Sequence, residues 1–286
     1  MDTGHRVATP SSTSSRSSSG DCMERWSESK RVLWIQDEMD ALIADAPVKV
    51  FSATNSPIIP YRLGNAVNYR PNHAYKSREY ILDSGVGKDM DNRTLLGAGA
   101  KLGESCDWIV PKDYPNDTAM TVKSLRQFAK LYAASPIHAQ PLIPLQGSNA
   151  AEYIECYLQA RGIFPDATYF GIGGIAGAAL TTIPELKALR ARIELVKAIL
   201  EEIDEEHTIH LFGCTSTQWL DIYQDPRVVS CDSARFGQAA GHDLPRGKHG
   251  GIIGYFAVAS AWLQFVMEIA SPQASNDQHD FEQFFR

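Results

Sequence analysis

Three aspartates, a glutamine and a glycine cluster stand at the ends of short apolar runs in this chain. The runs read Ile81-Leu82-Asp83-Ser84-Gly85, Trp108-Ile109-Val110-Pro111-Lys112-Asp113, Leu142-Ile143-Pro144-Leu145-Gln146-Gly147, Tyr169-Phe170-Gly171-Ile172-Gly173-Gly174, His210-Leu211-Phe212-Gly213-Cys214 and Val228-Val229-Ser230-Cys231-Asp232-Ser233. Carboxylates serve as general acids and bases and attack anomeric carbons as nucleophiles. A glutamine amide both donates and accepts, which suits the edge of a base. Glycines let backbone N–H groups come close to a ligand. The series points to one active site assembled from many strand ends.

Each residue also has a plainer reading. Asp83, in Leu-Asp-Ser-Gly, suits a sharp turn toward a ligand or the cap of a following helix. Asp113 suits recognition of a purine, whose N–H groups a carboxylate accepts, or a turn before Tyr114-Pro115. Gln146 reads a base edge or faces water. Gly171 to Gly174 lacks the Lys-Ser/Thr of a phosphate loop, so it offers backbone N–H groups at Gly173 and Gly174 or makes a tight turn. Asp232 closes a buried strand, as a nucleophile or as the partner of Arg235 in a salt bridge. Cys231 has no adjacent histidine to activate it and reads as a core cysteine.

Basic residues suggest contacts to phosphates. The segment Gly241 to Gly251 holds His242, Arg246, Lys248 and His249, with a solvated loop as the alternative; Arg62, Arg70, Arg78 and Lys88 add to the candidates. The eight histidines show no metal-ligand spacing.

These positions need elements to hold them. Apolar runs at 48–53, 79–84, 108–112, 141–147, 167–174, 208–214 and 228–233 read as strands, with amphipathic helices over 118–134, 150–162 and 184–203 among those between them. Residues 26 to 44 also read as a helix, and 54 to 78 as a long substrate loop after the first strand. Alternation of strand and helix predicts a parallel sheet, and polar strand ends predict an α/β barrel of the (β/α)8 TIM type, with catalysis at the carboxyl ends. Seven strands are counted; Gly250 to Ala259 supplies an eighth or opens the last helix. With 286 residues, 44% of them hydrophobic, the chain is long enough for one such domain, expected over 25–272. A Ser-rich tail over 1–24 and a polar tail over 273–286 flank it, the first read as disordered.

Net charge of −7 excludes a wholly basic nucleic-acid coat but not a local basic patch. The five cysteines have no CxxC pair, so reduced thiols in a cytoplasm are the simple reading. The most apolar stretch, Ile252 to Ala270, contains Ser260, Gln264 and Glu268 and reads as a buried helix rather than a membrane span.

Taken in order, the motifs over residues 48 to about 237 resemble the tRNA-guanine transglycosylase superfamily. Asp83-Ser84-Gly85 is similar to the start of its Asp-Ser-Gly-Gly-Phe-Gln motif. Asp107 to Asp113 resembles its Asp-x-x-x-x-x-Asp strand, and Leu145-Gln146-Gly147 its Val-Gln-Gly. Gly171 to Gly174 resembles its Ile-Gly-Gly, Phe212-Gly213 its Met-Gly, and Asp232 falls at its Phe-Asp nucleophile. Three departures stand out. Val86-Gly87-Lys88 replaces Gly-Phe-Gln, Ser233-Ala234-Arg235 replaces Pro-Thr-Arg, and the Cys-x-Cys-x-x-Cys…His zinc site is absent. The sequence also ends about 50 residues after Asp232. Without a zinc subdomain, the chain looks most like the DNA-modifying, DpdA-like branch, which occurs in bacterial gene clusters and in viruses.

The resemblance implies exchange of guanine in DNA for a free 7-deazaguanine (preQ0-like) base. Asp232 would be the nucleophile and Asp83 the general acid/base. Asp113, Gln146, Gly173, Gly174 and Ser84 would hold the base; Arg62, Lys88, Arg235, Arg246 and Lys248 would contact phosphates. No metal or other cofactor is implied. The expected setting is the cytoplasm (of a host, if viral), with DNA as partner, helper proteins of a modification system possible, and no membrane. The alternatives are an RNA-directed transglycosylase, a non-catalytic nucleic-acid-binding paralogue and an unrelated barrel glycosidase acting on free nucleosides.

Overall fold

The structure is a computed structural model that describes residues 36–54, 56–67, 77–85, 90–176, 183–236 and 252–271. Its strands are β1 (Lys49–Ser52), β2 (Tyr61–Asn65), β3 (Glu79–Asp83), β4 (Trp108–Val110), β5 (Gln140–Pro141), β6 (Ile143–Leu145), β7 (Tyr169–Ile172), β8 (Thr208–Leu211) and β9 (Val228–Ser233). All pairings are parallel, in the order β5-β4-β3-β2-β1-β9-β8-β7-β6. The two outer strands of that order are halves of one stave, separated only by Leu142. Pro141 and Pro144 have no N–H and break the ladder there. Leu142 N still donates to Ile109 O (3.0 Å), and Gly173 N donates to Leu145 O (3.1 Å). The sheet thus closes on itself as an eight-stave α/β barrel.

The helices are α1 (Asn92–Leu102), α2 (Thr118–Ala133), α3 (Ala150–Ile163), α4 (Ile183–Leu200), the short α5 (Leu220–Tyr223) and α6 (Ile252–Ala270); residues 36–42 are also helical. Three of them begin on side-chain caps. Asp91 accepts from Thr94 N, Asp117 from Met120 N and Asn149 from Glu152 N, each satisfying an N–H with no partner inside the helix.

Strand periodicity of two divides the core. Phe51, Leu63, Ile81, Val110, Leu142 and Tyr169 fill the barrel interior, packed against Tyr61, Trp108 and Phe212. Val50, Ile143, Phe170, Ile209 and Cys231 face outward into the layer formed with the helices. Each fully buried large apolar side chain contributes about 1.5–3 kcal/mol, so both layers stabilise the rim above them.

One expectation is corrected. The missing stave is β2, inside the segment read as a loop. Its Arg62 and Gly64 disguise it, yet Tyr61 to Asn65 pair residue for residue with Glu79 to Asp83. Of the two readings of Gly250 to Ala259, the opening of the last helix holds, since Ile252–Ala270 is helical. That helix seals the outside of β1 through Trp262, fully buried, whose Nε1 donates to Val50 O (2.7 Å). No helix among the described residues is long and apolar enough to cross a membrane. The Ser-rich tail over 1–24 and the polar tail over 273–286 lie outside the described residues.

Candidate functional site

Because every strand is parallel, the polar residues that end them share one mouth of the barrel. Asn65 registers with Asp83, Asp83 with Val110, and Phe51 with Asp232. Asp113, Gln146, Gly173 and Gly213 follow β4, β6, β7 and β8.

Asp232 is buried at the end of β9. Its Oδ1 accepts the backbone N–H of Gly213 at 2.9 Å and lies 3.1 Å from His210 Nε2. Gly213 takes a positive φ of 71° to present that N–H. No hydrogen bond reaches Oδ2 from a described residue. The suggested ion pair with Arg235 is not formed: its guanidinium donates to Thr215 O and lies over the Phe265 ring, 6.0 Å from the centroid.

Asp83 is only partly buried by surface area, but its carboxyl is deeply enclosed. Burial, then the negative charges of Asp113 and Asp232, push its pKa from 3.8 up to about 7, against the pull of the Gly85 and Ser84 backbone N–H groups. The Gly85 contact is 3.1 Å. Asp83 caps no helix, since Asp91 does that for α1. Close to neutrality it exchanges a proton readily, as a general acid and base requires.

Across the mouth, Gln146 Nε2 donates to Asp113 Oδ2 at 2.5 Å. Burial raises the pKa of Asp113, opposed by that hydrogen bond and by the positive charge of Lys112. Gln146 is nearly inaccessible, so it is not a loop residue facing water. Gly173 packs onto this pair: a Cβ there would meet Gln146 Nε2 at 2.3 Å. Tyr153 Oη braces the turn by donating to Gly173 O at 2.7 Å. Gly174 follows at φ 72°.

The N–H of Gly173 continues the strand ladder to Leu145 O, so of the two glycines only exposed Gly174 keeps an N–H without a protein acceptor among the described residues. Ser84 is fully enclosed and its hydroxyl has no partner among the described residues, which does not fit a contact on an open rim. Arg62 is a correction. It points outward from β2, is 1% exposed, and donates to Ser77 Oγ at 2.6 Å, so it cannot meet a phosphate at the surface. Burial lowers its pKa to about 10. Arg235 is exposed beside the end of β9. Lys88, Arg246 and Lys248 lie outside the described residues. Cys231 faces the outer core, and burial pushes its thiol up, away from the reactive thiolate.

The sequence reading did not single out His210, Asn65, Asn116 or Tyr153. His210 has no spacing signal because its partners come from β9. Asn65 could only follow once β2 was seen. Asn116, at φ 60°, approaches Gln146 Oε1 with its backbone N–H at 3.4 Å. Positions 204–207, just before β8, belong to the opposite mouth. There, among the described residues, Asp204, Glu206 and His207 bring ligand atoms within 4.8 Å of one another, but Arg161 already pairs with Asp204 at 2.8 Å. A cavity of about 330 Å³ lined by Glu79, Asp107, Trp108 and His138 also opens at strand starts, away from the three aspartates.

Comparison with known protein families and with curated proteins gives no match for this chain.

Proposed function

We propose that this protein is a DNA-guanine transglycosylase, exchanging guanine in DNA for a 7-deazaguanine base through a covalent glycosyl–Asp232 intermediate. The observation that carries the reading is the contrast between two carboxyls at one barrel mouth. Asp232 is held as an acceptor by Gly213 and His210, whereas Asp83 is raised to about 7. A carboxyl raised toward neutrality beside a second carboxyl held as an acceptor suits an acid and a nucleophile.

The steps follow. An Asp232 oxygen attacks C1′ of a deoxyguanosine flipped out of the stack, which costs a few kcal/mol. The C1′–N9 bond breaks, and Asp83 gives its proton to the departing guanine. The incoming base then loses its N9 proton to Asp83 and displaces Asp232 from C1′. Two inversions retain the configuration. Asp113, whose Oδ2 accepts from Gln146, is suited to accept the N1–H and exocyclic amine of either base. The open N–H of Gly174 is suited to the base carbonyl.

The same exchange carried out on tRNA is the competing reading. Radiolabelled guanine release from single-stranded DNA and from tRNA, side by side with a 7-deazaguanine base supplied, tests this. Release from DNA alone is expected. Release from tRNA alone moves the protein to RNA, and release from neither contradicts the transglycosylase reading.

A further inference from the structure

Behind Asp232, three buried side chains continue its hydrogen bonding into the barrel. His210 Nδ1 is 2.6 Å from Ser230 Oγ, and Ser230 Oγ is hydrogen-bonded to Tyr169 Oη. His210 and Ser230 are fully buried and Tyr169 almost so. The imidazole is walled by Phe212 at 4.5 Å, Phe51 at 5.9 Å and Tyr169 at 6.4 Å between centroids. None of these contacts is needed to hold a base.

We propose that Tyr169, Ser230 and His210 form a one-directional hydrogen-bond chain that locks His210 as the neutral Nε2–H tautomer, so that it fixes the orientation of Asp232. The inference rests on Asp232 being the nucleophile. Donor and acceptor counting gives the direction. As a carboxylate, Asp232 only accepts, so His210 Nε2 carries a proton. Nδ1 of the neutral ring then accepts, and the single proton of Ser230 points to it. That leaves Ser230 Oγ to accept from Tyr169. Reversing the chain would make His210 an imidazolium and turn the Tyr169 hydroxyl proton toward no acceptor among the described residues. With Gly213 N–H and His210 Nε2–H both on Oδ1, the carboxylate cannot rotate, and Oδ2 is the oxygen left for C1′. His210 acts through Asp232 and is a positioning residue.

The test uses the full chain and a guanine-containing single-stranded oligodeoxynucleotide, quenched by denaturant to trap the covalent adduct. His210→Ala is expected to slow adduct formation by roughly 100-fold, the loss typical of about 1 Å of misplacement. His210→Gln, whose amide reaches as far as Nε2, recovers most of it. Ser230→Ala and Tyr169→Phe give progressively smaller losses. Affinity for free guanine stays at the wild-type value in all four. Imidazole ¹⁵N NMR of the wild type should show His210 protonated at Nε2 only. An adduct rate for folded His210→Ala equal to wild type, or a proton on Nδ1, overturns the inference while Asp232 remains the nucleophile. Absence of any wild-type adduct removes Asp232 from that role and the inference with it.

Discussion

At the scale of single residues, the chemistry depends on protonation. Asp83 keeps its proton up to about pH 7 in the native state, whereas the unfolded chain loses it near 3.8. A raised carboxyl binds more protons folded than unfolded, so its contribution to stability falls as pH rises through that window. Asp83→Asn stays neutral throughout. Its melting temperature relative to wild type should therefore climb between pH 4 and pH 7, approximately, and level off above. A difference that does not vary with pH would mean that Asp83 titrates normally. Guanine release by the wild type should fall above about pH 7 as the acid is lost. Asp113→Ala removes the proposed acceptor for the base and leaves Gln146 Nε2 unpaired. It should weaken free-base affinity by about 1.5–3 kcal/mol, the worth of hydrogen bonds to a charged group, in calorimetric titration. Asp83, Asp113, Gln146 and Asp232 were legible because each is a polar residue ending an apolar run. His210 was not: it lies between Ile209 and Leu211 in mid-strand, and its role exists only once β8 and β9 are in register.

At the scale of elements, the rim depends on turns that admit no side chain. A Cβ on Gly173 would run into Gln146 Nε2 at 2.3 Å, with Asp113 Oδ2 at 3.6 Å. Gly173→Ala should therefore displace the Gln146–Asp113 pair and lower base affinity by an amount similar to Asp113→Ala, while adduct formation at saturating oligonucleotide changes less. Equal affinity for the wild type and the variant in the same titration would separate Gly173 from the base pocket. Elements were read well where apolar alternation was uninterrupted, as in β9, and where helices carried one apolar face, as in α2. Two strands escaped that logic. β2 places Arg62 outward into a buried contact with Ser77, and leaves Gly64 bare so that the Tyr80 hydroxyl can sit against it. The stave made of β5 and β6 looks like one strand in sequence but is split by two prolines, each half pairing with a different neighbour.

At the scale of the whole molecule, the parallel direction of every strand turns six scattered motifs into one mouth, and α6 fastens the outside of β1. Trp262→Ala removes a fully buried ring and leaves Val50 O without its donor. It should cost about 3–5 kcal/mol in urea unfolding, with a lower midpoint. A loss under about 1 kcal/mol would mean that α6 is not part of the cooperative barrel. The barrel was legible as alternation of strand and helix; its closure was not, because it depends on β2 and on Leu142. The central claim remains chemical: base exchange through a covalent bond to Asp232. The most direct measurement is peptide mapping by mass spectrometry after quenching the full chain with a guanine-containing single-stranded oligodeoxynucleotide and no incoming base. A sugar-linked adduct is expected on the peptide bearing Asp232, lost in Asp232→Ala, with one guanine released per adduct. Guanine release without an adduct, or an adduct on another residue, would contradict it.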